Sequence, residues 1–301
     1  MDEILHVEIE LGQARALVCV SSALAAEAQR IHGLSHLASA ALGRALTGAA
    51  MLGALQKNEK DRLTMTFRGD GPLSPVVVLG NGKGEVKGYL ENGSLELPLK
   101  PNGKLDVGGG VGREGRLIVV RDLGLREPYV GQTRLVSGEI AEDIALYLSA
   151  SEQTPSLLAL GVRLEEGKVV SSGGVLIQPL PGCGEELLQR LEGLAERLAN
   201  ISNLSKEAGG SAAELTALCL PGLEYEILES VKPVWRCDCS MERIQRALLS
   251  MGAAELEDMI KKQGGAELSC HFCNKKYRLT ADELRGLLNE GLDEAGAPPP
   301  L

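Results

Sequence analysis

Four of the chain's seven cysteines fall in two short stretches near one end, Cys237-Asp-Cys239 and Cys270-His-Phe-Cys273. A structural metal site, a disulfide staple, a catalytic dithiol and an oxidant sensor all use such pairs. Four thiolates supply a closed, tetrahedral Zn²⁺ site with no open position for substrate. A surrounding domain of about 60 residues buries little surface, so a metal can provide most of its folding free energy. The C-x-x-C half is ordinary for zinc; the C-x-C half is not. In an extended chain two such residues have Cα atoms about 6–7 Å apart, at the upper limit of disulfide reach. A ring closed there is strained and more oxidising. Arg236, Lys275, Lys276 and Arg278 lie close in sequence and favour thiolate. The spacing therefore allows a purely structural zinc site and also a site that holds zinc when reduced and loses it on oxidation.

The 301 residues suggest one large and one small domain. Aromatics make up only 3%, so the core must be built from Leu, Val, Ile and Ala, while 37 glycines favour tight turns. The N-terminus, MDEILHVEIELGQARALVCV, lacks a basic region and a continuous apolar run, so it does not read as a signal peptide. No stretch reaches about eighteen consecutive apolar residues, so no membrane span is expected. The expected location is the cytoplasm, where clustered cysteines more often hold metal than form staples. The net charge of −10 disfavours nonspecific binding to nucleic acid.

Strands and helices mix without a βαβ alternation, which predicts an α+β fold. Residues 1–178 read as one α+β core domain. Glu3 to Glu10 and Ala14 to Val20 read as paired strands, and His36 to Gln56 as a long buried helix. A second helix is expected near Ser137, its plausible N-cap, ending before Thr154-Pro155. Residues 179–232 read as a metastable helical linker after Pro179-Leu-Pro-Gly182. Its periodicity places Leu187, Leu188, Leu191, Leu194 and Leu198 on one helical face. From Glu185 to Ser230 nine acids oppose three bases, so the segment repels itself and needs a docking surface. Residues 233–301 read as the zinc-binding domain, with Ser240 and Thr280 capping helices and a frayed tail from Glu294.

Other signals point to structure. Cys19 reads as a strand core residue, Cys219 as packed on the linker helix, and Cys183 as exposed without a partner. His6, His32 and His36 are scattered, and His271 sits between two ligands on a knuckle whose adjacent residues point apart. Gly110-x-Gly-x-x-Gly115 matches a dinucleotide fingerprint, but a strand follows it, so a glycine-rich hairpin is expected instead. Arg68-Gly-Asp70 reads as a turn. No Ser/His/Asp or paired-carboxylate arrangement speaks for an enzyme.

The chain closely resembles the heat-shock protein 33 family. The resemblance rests on CDCS (Cys237 to Ser240) and CHFCN (Cys270 to Asn274). It also covers ALGRALTGAA (Ala41 to Ala50), TFRGDGPL (Thr66 to Leu73), NGKLDVGG (Asn102 to Gly109), EPYVGQ (Glu127 to Gln132), LVSGEIAEDIA (Leu135 to Ala145) and SEQTPS (Ser151 to Ser156). It implies a redox-regulated, ATP-independent holdase. Reduced, Cys237, Cys239, Cys270 and Cys273 would bind one zinc. Oxidised, they would form Cys237–Cys239 and Cys270–Cys273 disulfides and release it. The C-terminal domain and linker would then unfold, and a homodimer would hold unfolding client proteins, the linker leucines among its contacts. The competing readings are a nucleic-acid-binding protein with a static four-cysteine zinc ribbon, using Lys275, Lys276 and Arg278, and a thiol–disulfide oxidoreductase.

Overall fold

Alternating apolar and polar residues make a strand of β1 (Glu3–Ile9) and a short apolar run makes one of β2 (Ala14–Val20); the two pair antiparallel with Ile4 opposite Cys19. The computed structural model describes residues 1–296, so the expected fraying of the tail falls in part, at residues 297–301, outside the described residues. After α1 (Ser22–His32) and α2 (His36–Ala54) come β3 (Arg62–Arg68), β4 (Val76–Asn81) and β5 (Glu85–Leu90). Then follow α3 (Val107–Val111), β6 (Arg116–Asp122), β7 (Tyr129–Arg134), α4 (Ala141–Glu152), β8 (Leu157–Glu165) and β9 (Lys168–Pro179). The linker contributes α5 (Glu185–Gly193), α6 (Ala195–Leu198), α7 (Ile201–Glu207), α8 (Ala212–Cys219) and β10 (Tyr225–Val231). The last elements are β11 (Val234–Trp235), α9 (Met241–Met251), α10 (Ala253–Gln263), β12 (Gly265–Ser269), β13 (Lys276–Thr280) and α11 (Ala281–Gly296). The architecture is α+β, and the chain divides into two compact units, Met1–Arg236 and Cys237–Leu301.

The first unit holds two sheets, ordered β10-β1-β2-β9-β8 and β11-β5-β4-β3-β6-β7. Helix α2 packs against strands of both. Its Ala/Gly-rich sequence permits that approach: a Cβ on Gly43 would lie 2.7 Å from Val162, and one on Gly48 the same distance from Ile144. By length and composition α2 could cross a membrane, but 94% of that stretch is buried inside the protein, where it forms the centre of the core.

Strand β2 is buried on both faces. Leu17 and Cys19 point into the core around α2, while Ala16, Val18 and Val20 join a second apolar cluster on the opposite face. The linker helices build the other half of that cluster with Leu187, Leu191, Leu194, Leu198, Ile201 and Leu215. Each such leucine, taken from water, contributes about 1.5–3 kcal/mol. The docking surface that the linker's charge demands is therefore the outer face of the first unit's own sheet.

Four local expectations are corrected. The linker stretch read as one helix is three, broken at Leu194 and again at Ala199–Asn200, and Leu188 is only half-buried while its four companions are buried. The segment is not helical throughout, because Tyr225–Val231 is a strand beside β1. Ser137 does not cap α4, which starts at Ala141; the buried Asp143 carboxylate instead accepts hydrogen bonds from the amides of Val136, Ser137, Gly138 and Ile140. That cradle holds Ile140 at φ 75°, a backbone state costly for a β-branched residue.

The glycine-rich stretch before β6 is not a hairpin but the short helix α3, where Asp106 accepts from the amide of Gly109. A Cβ on Gly108 would sit 2.4 Å from the Ser137 carbonyl oxygen, so only glycine lets these segments touch. The Arg68-Gly-Asp70 turn packs on the same helix, with the Leu73 amide donating to the Gly110 carbonyl at 2.8 Å. Helix then strand is the reverse of the order a dinucleotide fingerprint needs.

Candidate metal centre

Strand β11 ends two residues before the first cysteine. Trp235 pairs with Val86 of β5, and the Arg236 amide donates to the Val86 carbonyl at 2.9 Å. Cys237 and Cys239 then lie on a stretch outside any helix or strand that stops where Ser240 caps α9, its hydroxyl accepting from the Arg243 amide. Asp238 between them pairs with Arg243 at 2.5 Å. The other pair occupies the turn joining β12 to β13. The Cys270 amide donates to Lys275, and the Cys273 and Asn274 amides donate back to Cys270. Asn274 takes a left-handed backbone, φ 58°, which suits asparagine and turns the chain into β13.

The four sulfurs converge, all within 4.8 Å of one another. Cys237 Sγ lies 3.7 Å from Cys270 Sγ, and Cys239 Sγ lies 3.4 Å from Cys273 Sγ. A tetrahedron of sulfurs at the zinc–sulfur bond length of about 2.3 Å has edges near 3.8 Å. The donor set and spacing therefore fit a four-coordinate thiophilic ion. The nearest contacts join one half-site to the other, and both are far longer than a disulfide bond of about 2.05 Å. All seven cysteines are free thiols.

Sequence reasoning missed the hydroxyl of Tyr277, which donates to Cys239 Sγ at 3.0 Å. An aromatic four residues after a C-x-x-C pair, in a strand returning from the turn, was the available signal. Burial pushes the Cys237 thiol up. Burial acts on Cys239 too, but the Tyr277 hydroxyl and the other sulfurs outweigh it and hold Cys239 at about 7. The apolar cluster of this unit is small: Leu248, Leu256, Leu279, Leu284 and Leu287 are its buried members among the described residues. Five leucines are too few to hold some sixty residues against chain entropy, which leaves a stabilising role for a bound ion.

The remaining cysteines are apart from this cluster. Cys19 is fully buried in β2, where burial pushes its thiol well up, and buried Cys219 is pushed up to about 12. Cys183 is half-buried in the turn before α5. His271 is not part of the cluster. Two basic residues assigned to a nucleic-acid surface are engaged, since Lys276 and Arg278 share Glu267 at 2.9 and 2.6 Å; Arg236, expected to favour thiolate, pairs with Glu85 at 3.2 Å. Lys275 lies 5.0 Å from the Tyr277 ring centre. A shared carboxylate in the middle of the stretch lowers its positive potential.

A mixed helix-and-sheet body followed by a small unit gathered around four sulfurs defines a class of protein with a thiol-based centre. Residues 2–280 match the family model described as Hsp33 protein. The chain is 42% identical over 289 residues to the 33 kDa chaperonin of Clostridioides difficile, covering 96% of this chain and 99% of that one. It is 43% identical to the 33 kDa chaperonin of Geobacter sulfurreducens, with 95% and 94% covered. The crystal structure of the 33 kDa chaperonin (heat shock protein 33 homolog) from Thermotoga maritima superposes with a TM-score of 0.85 at 36% identity, covering 97% of this chain and 99% of that chain. The chain belongs to the Hsp33 family of chaperones.

Proposed function

We propose that this Hsp33-family chaperone is a redox-regulated holdase whose reduced form holds one Zn²⁺ on Cys237, Cys239, Cys270 and Cys273. The bound ion would supply folding free energy to the small unit and keep all four thiols deprotonated. Two-electron oxidation by a peroxide joins Cys237 to Cys239 and Cys270 to Cys273. Each disulfide consumes two thiolates, one H₂O₂ and two protons from solvent and releases two waters, and a disulfide sulfur is no longer a thiolate donor.

The single observation that carries the reading is the convergence of four sulfurs in a unit with so small a leucine cluster. Loss of the donors is then loss of the unit's fold. The linker follows because its helices are short and its net charge of −6 over residues 185–230 opposes collapse. Its departure uncovers Val7, Ile9, Val18, Val175 and Ile177 on the sheet together with its own leucines, including Leu187, Leu191, Leu194 and Leu198. Such a contiguous apolar face fits unfolding proteins, and activated chains associate as dimers. Disulfides between near neighbours barely restrict an unfolded chain, so oxidation locks the open state without building a new fold. The protein works in the cytoplasm and has no catalytic residues.

The test is peroxide treatment of zinc-loaded protein at about 40 °C, a heat stress that adds to the loss of the ion's folding free energy. Zinc release, far-UV circular dichroism and suppression of client aggregation are followed together. Zinc release without any gain in suppression would leave a static metal site and end the chaperone-switch reading.

A further inference from the structure

The Tyr277 side chain is buried, yet it lies outside the leucine cluster of its unit. Strand pairing explains how it gets there: Tyr277 sits opposite Leu268 in β13, one pair inward from the cysteine turn. That register brings the ring back towards the sulfurs and sets its hydroxyl 3.0 Å from Cys239. A hydroxyl at that distance from a sulfur is a short, charge-assisted contact when the sulfur is a thiolate. Lys275 over the ring, 5.0 Å from its centre, draws on the π-face and makes the phenol a stronger donor.

We propose that Tyr277 is a positioning residue for Cys239, its hydroxyl holding that sulfur in the cluster and occupying the lone pair an electrophile would attack. This rests on the metal-site reading given above and extends it to what sets the site's reactivity. A hydrogen-bonded thiolate is a poorer nucleophile, because density on sulfur is shared with the donor proton. Of the four cysteines, Cys239 alone receives such a bond from a side-chain hydroxyl among the described residues. Cys237 and Cys273 receive backbone amides instead, from Cys239 and Lys275, which the substitution leaves in place, so removing the hydroxyl acts on one sulfur of the four.

Tyr277→Phe deletes the donor and keeps the ring that pairs across from Leu268. Metal-loaded protein is treated with iodoacetamide, in which the sulfur forms a bond to carbon and iodide leaves. Alkylation is then read cysteine by cysteine by mass spectrometry. The expected result is alkylation at Cys239 about tenfold faster, the rate equivalent of one charge-assisted hydrogen bond, with unchanged far-UV dichroism and unchanged rates at Cys237. Replacing Tyr277 by 3-fluorotyrosine, a stronger donor of nearly the same size, should slow the same site and does not put folding at risk. In Co²⁺-loaded protein the sulfur-to-cobalt charge-transfer band should shift with Phe and with fluorotyrosine in opposite directions. Equal rates at Cys239 in all three proteins would overturn the assignment, as would an equal rise at all four cysteines. Metal content counted on the same samples separates the two readings. A wild-type chain that takes up no metal sinks both, whereas metal-loaded variants that react like wild type sink this one alone.

Discussion

Trp235 lies edge-on to His32, with ring centres 5.8 Å apart and planes inclined by 65°. It is the chain's only tryptophan, it packs against the main core, and it stands two residues before Cys237. The two-residue strand β11 holds it there through a pairing too short to persist unaided. On peroxide treatment its emission should therefore move to longer wavelength in step with zinc release. An emission maximum that stays put would mean that unfolding stops at the cysteines.

Removing one sulfur should cost the small unit its fold. Cys270→Ser leaves three donors and a buried hydroxyl, and zinc stoichiometry should fall below one per chain. Helical signal from α9 and α10 should be lost even under reducing conditions, and the linker should become sensitive to protease. Full dichroism in this variant would show that the leucine cluster suffices alone.

Burial of the linker leucines changes what a charged substitution does. Leu191→Glu is the natural test of client contact, but Leu191 is covered by the sheet in the docked state. The variant should release the linker without oxidation, since emptying such a site costs about 2–5 kcal/mol before any charge is buried. Hydrogen exchange across residues 185–219 of reduced protein reads the outcome. Leu188→Glu, at a half-buried position, should have a much smaller effect.

Ion pairs also tether the linker. Lys206 reaches Glu165 of β8 at 2.5 Å, and Arg190 reaches Glu10 at 3.0 Å and the Gly222 carbonyl at 2.6 Å. The pairs are half-exposed, so each is worth about 0.2–1 kcal/mol. Arg190→Ala with Lys206→Ala should therefore lower the temperature at which oxidised protein gains holdase activity by a few degrees, and added salt should mimic it.

Glu139 gathers Arg44 at 2.6 Å, Lys100, and the Gly108 amide at 2.9 Å. Burial works to raise its carboxyl, but Arg44 and Lys100 outweigh it and hold it below the ordinary glutamate value of 4.5. A lowered folded value means stability that is present above pH 4.5 and is lost as pH falls through the folded value. Acid unfolding of the first unit should accordingly flatten in Glu139→Gln. A profile identical to wild type would remove this cluster from the acid response.

Much of this was legible from residues alone where local chemistry decides. Alternation marked β1, a short apolar run marked β2, the Ala/Gly run marked α2, and Ser240 and Thr280 cap the helices they precede. What stayed hidden depends on distant partners. Tyr225–Val231 carries exposed residues on both sides and becomes a strand only because β1 offers an edge. The α3 helix needs the Ser137 carbonyl to close over Gly108, and the Asp143 cradle reaches back seven residues to Val136. In the same way, the C-x-C and C-x-x-C spacings named the four cysteines, but the Tyr277 hydroxyl depends on the β12–β13 register, which no spacing specifies.

Strand β9 ends at Pro179 and α5 begins at Glu185, so only five residues connect the sheet to the helices that lie on it. A lid tied on so short a leash is present at an effective concentration of about millimolar, far above that of any single client. On the proposed function, a client gains the face once its tethered rival has left and not by outcompeting it. Restoring the small unit with reductant and metal would then let the same leash favour eviction of the client without an external energy source.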